Sequence, residues 1–268
     1  MHTSYSEQTQ PQSALQPSSS KVRKGPPDVL SLPSEKTLQT LKPNMPRDYQ
    51  IIMAPIFTDF SQIDENLYLT GIGGMTRENI KNHRITCIVN TTYEAPNLRQ
   101  PGIDSIRISV DDTPTDDIGQ HFDIGVDKIA EHAKRGERSV VHCVAGVSRS
   151  AALVIAYLIK HKRMTLHDAF NHVRERRQVI RPNNGFFKQL IEYEKKHLGK
   201  ASVKMITVEK EGVTIEIPDF FESEHPRTVQ IEALKTKFKM QQQQGQKEQQ
   251  SHTEDKKTNT QSDDELNL

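Results

Sequence analysis

The chain has 268 residues and a formal net charge of +1, from 36 basic and 35 acidic residues. This balance gives no support to nucleic acid or an acidic membrane as the main partner. Hydrophobic residues make up only 34% of the chain. This low share indicates that part of the chain is disordered.

The N-terminus and the two cysteines bear on the compartment. Cys87 and Cys143 are too few to form a disulfide framework. The first residues have neither the basic nor the apolar region of a secretory signal, and His2 stands where N-myristoylation requires glycine. The longest strongly apolar run, residues 151–159, is far shorter than the about 20 residues that span a bilayer. We therefore expect a soluble cytoplasmic protein, with the nucleus as a further location and no membrane partner.

The first 53 residues are rich in Ser, Gln, Thr and Pro without a sustained period, which predicts a disordered tail. Within this tail a basic cluster with Arg23 and Lys24 is followed by Leu30 and Leu32. The segment resembles the docking motif of mitogen-activated protein kinases, in which basic residues meet an acidic patch and leucines enter apolar pockets. The alternative is an incidental basic stretch in a linker.

The middle of the chain alternates between strand and helix patterns. Strands are predicted at residues 63–71, 85–90, 103–110 and 139–142. Helices are predicted at residues 76–82, 118–134, 151–160, 165–177 and 187–198, with Thr76 and Thr165 as N-caps. Cys87 lies inside a continuous apolar strand and is interpreted as a core residue, the alternative being a redox partner of Cys143.

Residues 140–150 run from the end of a buried strand through a tight loop into an apolar helix. Backbone N–H groups of such a loop, together with the helix dipole, form a ready anion site. Gly146 lets the backbone curl without a Cβ clash. The predicted phosphate-binding residues are Val144, Ala145, Gly146, Val147, Ser148 and Arg149.

Cys143 and Arg149 bring reactive groups to this loop. The planar guanidinium of Arg149 can hold two phosphoryl oxygens at once. The positive potential favours the thiolate of Cys143, and a thiolate beside a bound phosphate is a nucleophile in line with phosphorus. The alternative is a strand–loop–helix around an unreactive buried cysteine. The complete pattern from His142 to Ser150 favours catalysis.

This segment resembles the signature loop of the cysteine-dependent protein tyrosine phosphatases. Ser150 together with Arg181-Pro182-Asn183 narrows the resemblance to their dual-specificity branch, over about residues 55–222. The resemblance implies an α/β fold with a central, mostly parallel sheet flanked by helices, to which the composition adds disordered N- and C-terminal tails. It also implies hydrolysis of phosphotyrosine and of phosphoserine or phosphothreonine through a cysteinyl-phosphate, with no cofactor and no metal.

The resemblance also implies roles for residues outside the loop. In the family an Asp before the helix that precedes the signature strand is the general acid, and alignment on Phe122 places it at Asp112. Asp111 is the alternative, because a slip of one residue exchanges them. Ser150 is predicted to hydrogen-bond the thiolate as it leaves phosphorus. Asn183 is predicted to brace the signature loop, with helix capping as the alternative, and His142 is a further supporting residue.

The other acidic residues of the loop, Asp111, Asp116 and Asp117, are interpreted as parts of a solvated loop. The predicted organisation is a tail at 1–53, a catalytic domain at 54–200, an extension packed on it at 201–222, and a largely disordered Gln-rich and acidic tail at 223–268. The alternation within 202–222 suggests a hairpin. The phrase that begins it, Ser202 to Met205, looks like atypical dual-specificity phosphatases.

Three other functions share features of this pattern. Inositol-lipid phosphatases usually carry lysines in the loop, where this chain has small apolar residues. RNA 5′-phosphatases usually carry Asn where this chain has Ser148. A non-catalytic phosphoprotein-binding module usually lacks the cysteine, the arginine or the aspartate, all of which are present. The predicted partners are therefore phosphoproteins, with mitogen-activated protein kinases as candidates.

Overall fold

The structure, a computed structural model, describes residues 55–98 and 100–243. The predicted N-terminal tail, with its docking candidates Arg23, Lys24, Leu30 and Leu32, lies outside the described residues. Residues 244–268 of the C-terminal tail lie outside them as well. In the described part of the chain no helix has both the length and the apolar character that crossing a bilayer requires.

A five-stranded sheet with the order β1-β2-β5-β3-β4 forms the centre of the fold. Its strands are β1 (Ser61–Asp64), β2 (Leu67–Gly71), β3 (Ile85–Asn90), β4 (Asp104–Arg107) and β5 (Arg138–Cys143). β1 runs antiparallel to β2, and the other neighbours are parallel. The inner strands β2, β3 and β5 are almost wholly buried, as expected of a parallel sheet covered on both faces. The predicted mostly parallel sheet is confirmed.

Helices cover the two faces of this sheet. They are α1 (Pro55–Thr58), α2 (Arg77–Asn82), α3 (Phe122–Lys134), α4 (Arg149–Lys162), α5 (Leu166–Arg176), α6 (Asn184–Leu198), α7 (Phe221–Glu224) and α8 (residues 226–243). The hydroxyls of Thr76 and Thr165 accept hydrogen bonds from the first turns of α2 and α5, which confirms both predicted N-caps. α4 is buried from Arg149 to Ile159, because α3, α5 and α6 surround it.

The residues after α6 form a hairpin of β6 (Met205–Lys210) and β7 (Val213–Pro218). Its turn has positive φ at both Glu211 and Gly212, the conformation that two-residue hairpin loops favour. Ile215 and Ile217 join the main core. The predicted hairpin and its packing on the domain are therefore confirmed.

One part of the tail prediction is wrong. Residues 226–243, assigned to a largely disordered tail, form the helix α8. Val229 is 4% exposed and Ala233 is fully buried, and both belong to the main core. Two small apolar residues spaced one helical turn apart are enough to attach this otherwise polar helix.

The sheet register brings the ends of three strands together. Cys143 at the end of β5 pairs with Gly71 at the end of β2, and His142 pairs with Asn90 at the end of β3. Because the carboxyl ends of parallel strands meet at one edge, ligands of α/β folds bind there. The loop that follows Cys143 lies at this edge.

Candidate active site

The thiol of Cys143 lies at the bottom of the loop between β5 and α4 and is 1% exposed. Its Sγ accepts hydrogen bonds from the backbone N–H of Gly146 at 3.2 Å and from the hydroxyl of Ser150 at 3.1 Å. Donors to a thiolate stabilise its charge. The structure therefore brings Cys143 and Ser150 together as the sequence predicted, although the prediction for Ser150's role remains a prediction.

All four carbonyl groups from residue 144 to residue 147 bond to groups outside the loop. Val144 O accepts from Ile72 N at 2.9 Å, Ala145 O from Arg177 Nη2 at 3.1 Å, Gly146 O from Arg177 Nε at 2.7 Å, and Val147 O from Arg181 N at 2.7 Å. Since each trans peptide directs its N–H opposite to its C=O, the amides that follow these carbonyls face the loop interior. The loop is thus an anion cradle built from backbone.

Arg177, which the sequence analysis missed, holds much of this geometry. Its side chain is 1% exposed, and besides the two loop carbonyls it donates to Asp59 O at 2.8 Å and to Phe57 O at 3.3 Å. It therefore ties the signature loop to the segment that enters β1. No local sequence signal distinguished it from the exposed Arg176 beside it.

Gly146 has φ of +67°, in the left-handed region that favours glycine. A Cβ there would stand 2.6 Å from Gly71 N and 2.7 Å from Arg177 Nη2. Both the turn and the close approach to β2 therefore require glycine, as the sequence predicted for the turn.

Arg149 is the first residue of α4, and its side chain is almost wholly buried. Its Nη1 donates to Glu94 Oε2 at 2.8 Å and to Val110 O at 3.1 Å. Its buried Nε has no hydrogen-bond partner among the described residues. Burial by itself would lower the pKa of Arg149, but the hydrogen bond to Glu94 and the neighbouring negative charges raise it overall. The cation therefore stays charged at the mouth of the cradle.

Glu94 was also missed, and a local network presents it. Asn90 Nδ2 donates to Ala95 O at 2.9 Å, and Asn90 Oδ1 accepts from Thr92 N at 3.0 Å. These bonds fold the loop after β3 back on itself, so that the Glu94 carboxylate reaches Arg149. The Asn-Thr-Thr run that begins at the last residue of a buried strand is the signal that could have pointed to this loop.

The carboxylate of Asp112 faces the signature loop. Its Oδ1 accepts from the hydroxyl of Ser148 at 2.6 Å and from Asn183 Nδ2 at 3.0 Å. Asp111 differs: its backbone N–H donates to the Asp116 carboxylate, and its side chain has no hydrogen bond among the described residues. Of the two candidates for the general acid, the structure thus brings Asp112 to the loop.

The contacts of Asn183 are those expected from both alternatives that the sequence left open. Its Oδ1 accepts from Phe186 N at 3.0 Å and caps α6. Its Nδ2 donates to Asp112, and its backbone N–H donates to Ser148 Oγ at 3.1 Å. One residue therefore starts a helix and fixes the distance between the acidic loop and the signature loop.

The acidic loop also rests against the first turn of α6. A Cβ on Gly185 would lie 1.8 Å from Pro114 O, so no larger residue fits between the two segments. Asp117 Oδ1 accepts from Gln120 N at 3.1 Å, and Asp116 accepts from Asp111 N. Asp117 is exposed and Asp116 is partly exposed, which agrees with a solvated loop, and both carboxylates also accept hydrogen bonds from the backbone of this loop.

His142 and Cys87 flank the site inside the sheet. Burial lowers the pKa of His142 to about 4, so its imidazole is neutral near pH 7, and Nδ1 lies 3.4 Å from Cys143 O. Burial raises the pKa of the Cys87 thiol to about 11. Cys87 pairs with Ser139 across β3 and β5, about 13 Å of strand from Cys143, whereas a disulfide needs Cα atoms within about 7 Å. The geometry favours Cys87 as a core residue.

The site thus combines a buried thiol with two donors, an amide cradle with an arginine, and a carboxylate at the rim. This is the arrangement that a cysteine-dependent phosphatase requires. Among the described residues, no group of three or more His, Cys, Asp or Glu could hold a metal ion.

Comparison with known proteins also indicates a phosphatase. The family model for the catalytic domain of dual specificity phosphatases matches residues 67–196. Human dual specificity protein phosphatase 14 is 42% identical over 165 residues, which are 61% of this chain and 81% of that protein. Human dual specificity protein phosphatase 21 is 39% identical over 176 residues, which are 65% of this chain and 90% of that protein.

Solved structures agree in fold. The structure of a variant of human DUSP28 matches with a TM-score of 0.51 and 30% identity, over 52% of this chain and 97% of that one. A mouse dual specificity phosphatase complexed with zinc tungstate matches with a TM-score of 0.50 and 32% identity, over 53% of this chain and 89% of that one. The chain belongs to the dual-specificity phosphatase family, and its activity is that of a protein phosphatase.

Proposed function

We propose that this chain hydrolyses phosphotyrosine and phosphoserine or phosphothreonine through a cysteinyl-phosphate on Cys143. The observation that supports this proposal is the environment of the thiol. Two donors lie within 3.2 Å of its sulfur, and the cradle of inward amides surrounds it. A bound phosphoryl group would then have the sulfur in line with the bond that breaks.

The first half of the reaction transfers the phosphoryl group to the enzyme. The amides of the signature loop and Arg149 bind the non-bridging oxygens, and the Cys143 thiolate forms a bond to phosphorus. The bond from phosphorus to the leaving oxygen breaks, and Asp112 supplies a proton to that oxygen. Serine and threonine alkoxides leave very poorly without this proton, for which general acid catalysis gives typically 10²–10⁴-fold.

The second half releases phosphate. The Asp112 carboxylate accepts a proton from water as the water oxygen attacks phosphorus, and the bond from phosphorus to Cys143 Sγ breaks. The hydroxyl of Ser150, which donates to that sulfur at 3.1 Å, stabilises the departing thiolate. The water contributes the oxygen and the protons, so the enzyme returns to its starting state without a cofactor.

A comparison of the two cysteines tests this proposal. Cys143→Ser should lower turnover of an aryl phosphate by at least about 10³-fold, while the loop amides and Arg149 still bind phosphate. Cys87→Ala removes the other thiol of the chain and should retain turnover. Activity of Cys143→Ser within tenfold of the wild type would exclude the thiolate as nucleophile.

The physiological substrates in this proposal are phosphoproteins of mitogen-activated protein kinase signalling. The basic residues Arg23 and Lys24 followed by Leu30 and Leu32 support it. A reactive thiolate needs a reducing compartment, which supports a cytoplasmic or nuclear location. Replacing both leucines by alanine should weaken capture of a mitogen-activated protein kinase. Undiminished capture would leave the segment as an incidental basic stretch.

A further inference from the structure

A groove of about 350 Å³ opens beside the signature loop, and we call it the α8 groove. One wall carries Asp112, Val147 and Ser148 of the candidate active site. The opposite wall is one face of α8, whose lining residues stand three or four positions apart and therefore share a side of the helix. They are Glu232, Lys235, Thr236 and Lys239. α8 lies outside the residues that the family model matches.

The packing of α8 fixes this wall in place. Val229 and Ala233 are buried in the main core. Arg174 Nη2 also donates to Thr228 Oγ1 at 3.0 Å, which ties the first turn of the helix to α5. The groove-lining face of α8 therefore has a defined position beside the catalytic loop.

The charges in the groove do not balance. Arg181 is paired with Glu232, and the Asp112 carboxylate already accepts from Ser148 and Asn183. By contrast, Lys235 and Lys239 have neither an ion pair nor a hydrogen bond among the described residues. The groove is thus lined by three positive residues (Arg181, Lys235, Lys239) and two negative ones (Asp112, Glu232), and both lysines on the α8 wall are without an ion-pair partner in the described part of the chain.

The neighbouring positive charges also act on Lys235. Burial most of all, then the charge of Arg181 and least that of Lys239, lowers the pKa of its ammonium, and Glu232 opposes the shift only in part. An anion between these cations would relieve the repulsion. Carboxylate and phosphate groups are the anions that a phosphoprotein carries next to its phosphorylated residue.

We propose that the α8 groove binds an anionic side chain of the substrate, a few residues from the phosphorylated residue held at Cys143. This inference rests on the proposed function. Ser148 and Asp112 line both the groove and the active site, so an extended substrate, at about 3.3 Å per residue, passes from one into the other. The anion is the side chain of Asp or Glu, or a second phosphorylated residue.

Phosphotyrosine peptides of one sequence test this inference. Each peptide carries Gln, Glu or phosphoserine at one of the three positions on either side of the phosphotyrosine. The fluorescence of the tyrosine product follows the reaction and gives kcat/KM for each peptide. We expect the best acidic peptide to exceed its Gln counterpart by about five- to tenfold at low salt. The double variant Lys235→Gln, Lys239→Gln should bring this ratio close to one.

A lysine on another face of the same helix provides the matched control. Lys237 donates to Glu211 O at 3.2 Å and does not line the groove, so Lys237→Gln should retain the wild-type ratio. A preference for the Glu and phosphoserine peptides alike supports either anion, and a preference for phosphoserine alone supports a second phosphate.

Two failures can be told apart. Equal ratios in the wild type and the double variant, with turnover that still depends on Cys143, overturn the groove and leave the proposed function intact. Turnover of every peptide that persists in Cys143→Ser overturns the proposed function and this inference with it.

Discussion

Replacing Arg177 by methionine should both destabilise the domain and slow catalysis. The guanidinium donates to the carbonyls of Ala145 and Gly146 in the signature loop, and to those of Phe57 and Asp59 before β1. Methionine has a similar length but no donor, so the buried carbonyl of Gly146 and the partly buried carbonyls of the other three residues would lose this partner. The loop would then lose the anchor that turns its amides toward Cys143.

The size of the effect follows from these bonds. Hydrogen bonds to charged groups contribute about 1.5–3 kcal/mol each, but bonds made by one side chain are not additive. The two shortest bonds of Arg177, at 2.7 and 2.8 Å, give an expected loss of about 3–5 kcal/mol. That is a large part of the about 5–15 kcal/mol that stabilises a typical domain.

Urea denaturation followed by circular dichroism measures the loss, and kcat/KM on an aryl phosphate measures the effect on the loop. Arg176→Met is the matched control, because Arg176 is exposed and its change should cost less than about 0.5 kcal/mol. Arg177→Met with stability within about 1 kcal/mol of the wild type and unchanged kcat/KM would refute the bracing role.

The remaining predictions concern the general acid Asp112, the hydrogen-bonded carboxylate of Asp123 and the effect of a chelator. Asp112→Ala should reduce phosphopeptide turnover more than nitrophenyl phosphate turnover, because nitrophenolate leaves without a proton; the same pattern in Asp111→Ala, with Asp112→Ala nearly normal, would transfer the role to Asp111. Hydrogen bonds from Lys160, Lys196 and Tyr193 lower the pKa of the half-exposed Asp123, so Asp123→Asn should cost about 1 kcal/mol at pH 7 after solvent screening. Because that pKa is depressed, the contribution is complete above the unfolded value of about 4 and is lost at lower pH, so urea midpoints of the two proteins should converge in acid; a constant difference would contradict this origin. EDTA should leave turnover unchanged, and loss that a divalent ion restores would contradict a metal-free site.

The parts of the fold that the sequence predicted share a simple physical basis. Covered parallel strands such as β3 and β5 are continuously apolar, and a helix such as α4 that is apolar on all faces is expected to be enclosed by other elements. The anion site of the signature loop could be predicted because Cys143, Gly146 and Arg149 lie close together in the sequence. Features of this kind can be recognised from a short segment of the chain.

The parts that escaped prediction depend on distant contacts. Arg177 acts on a loop 31 residues earlier in the chain, and the packing of α5, rather than any local pattern, brings it there. Glu94 depends on the fold of the loop after β3. α8 is attached by few buried side chains among many polar ones, so its composition suggested a disordered tail.

The most direct test of the central claim is to observe the phosphorylated enzyme. Ser150→Ala removes the donor 3.1 Å from the sulfur and should slow the breakdown of the cysteinyl-phosphate more than its formation, giving a burst of product and then a slower steady rate. Rapid quenching followed by mass spectrometry should then find one phosphoryl group on the peptide that contains Cys143. A phosphoryl group on another residue, or a full product burst without any labelled Cys143, would contradict the account.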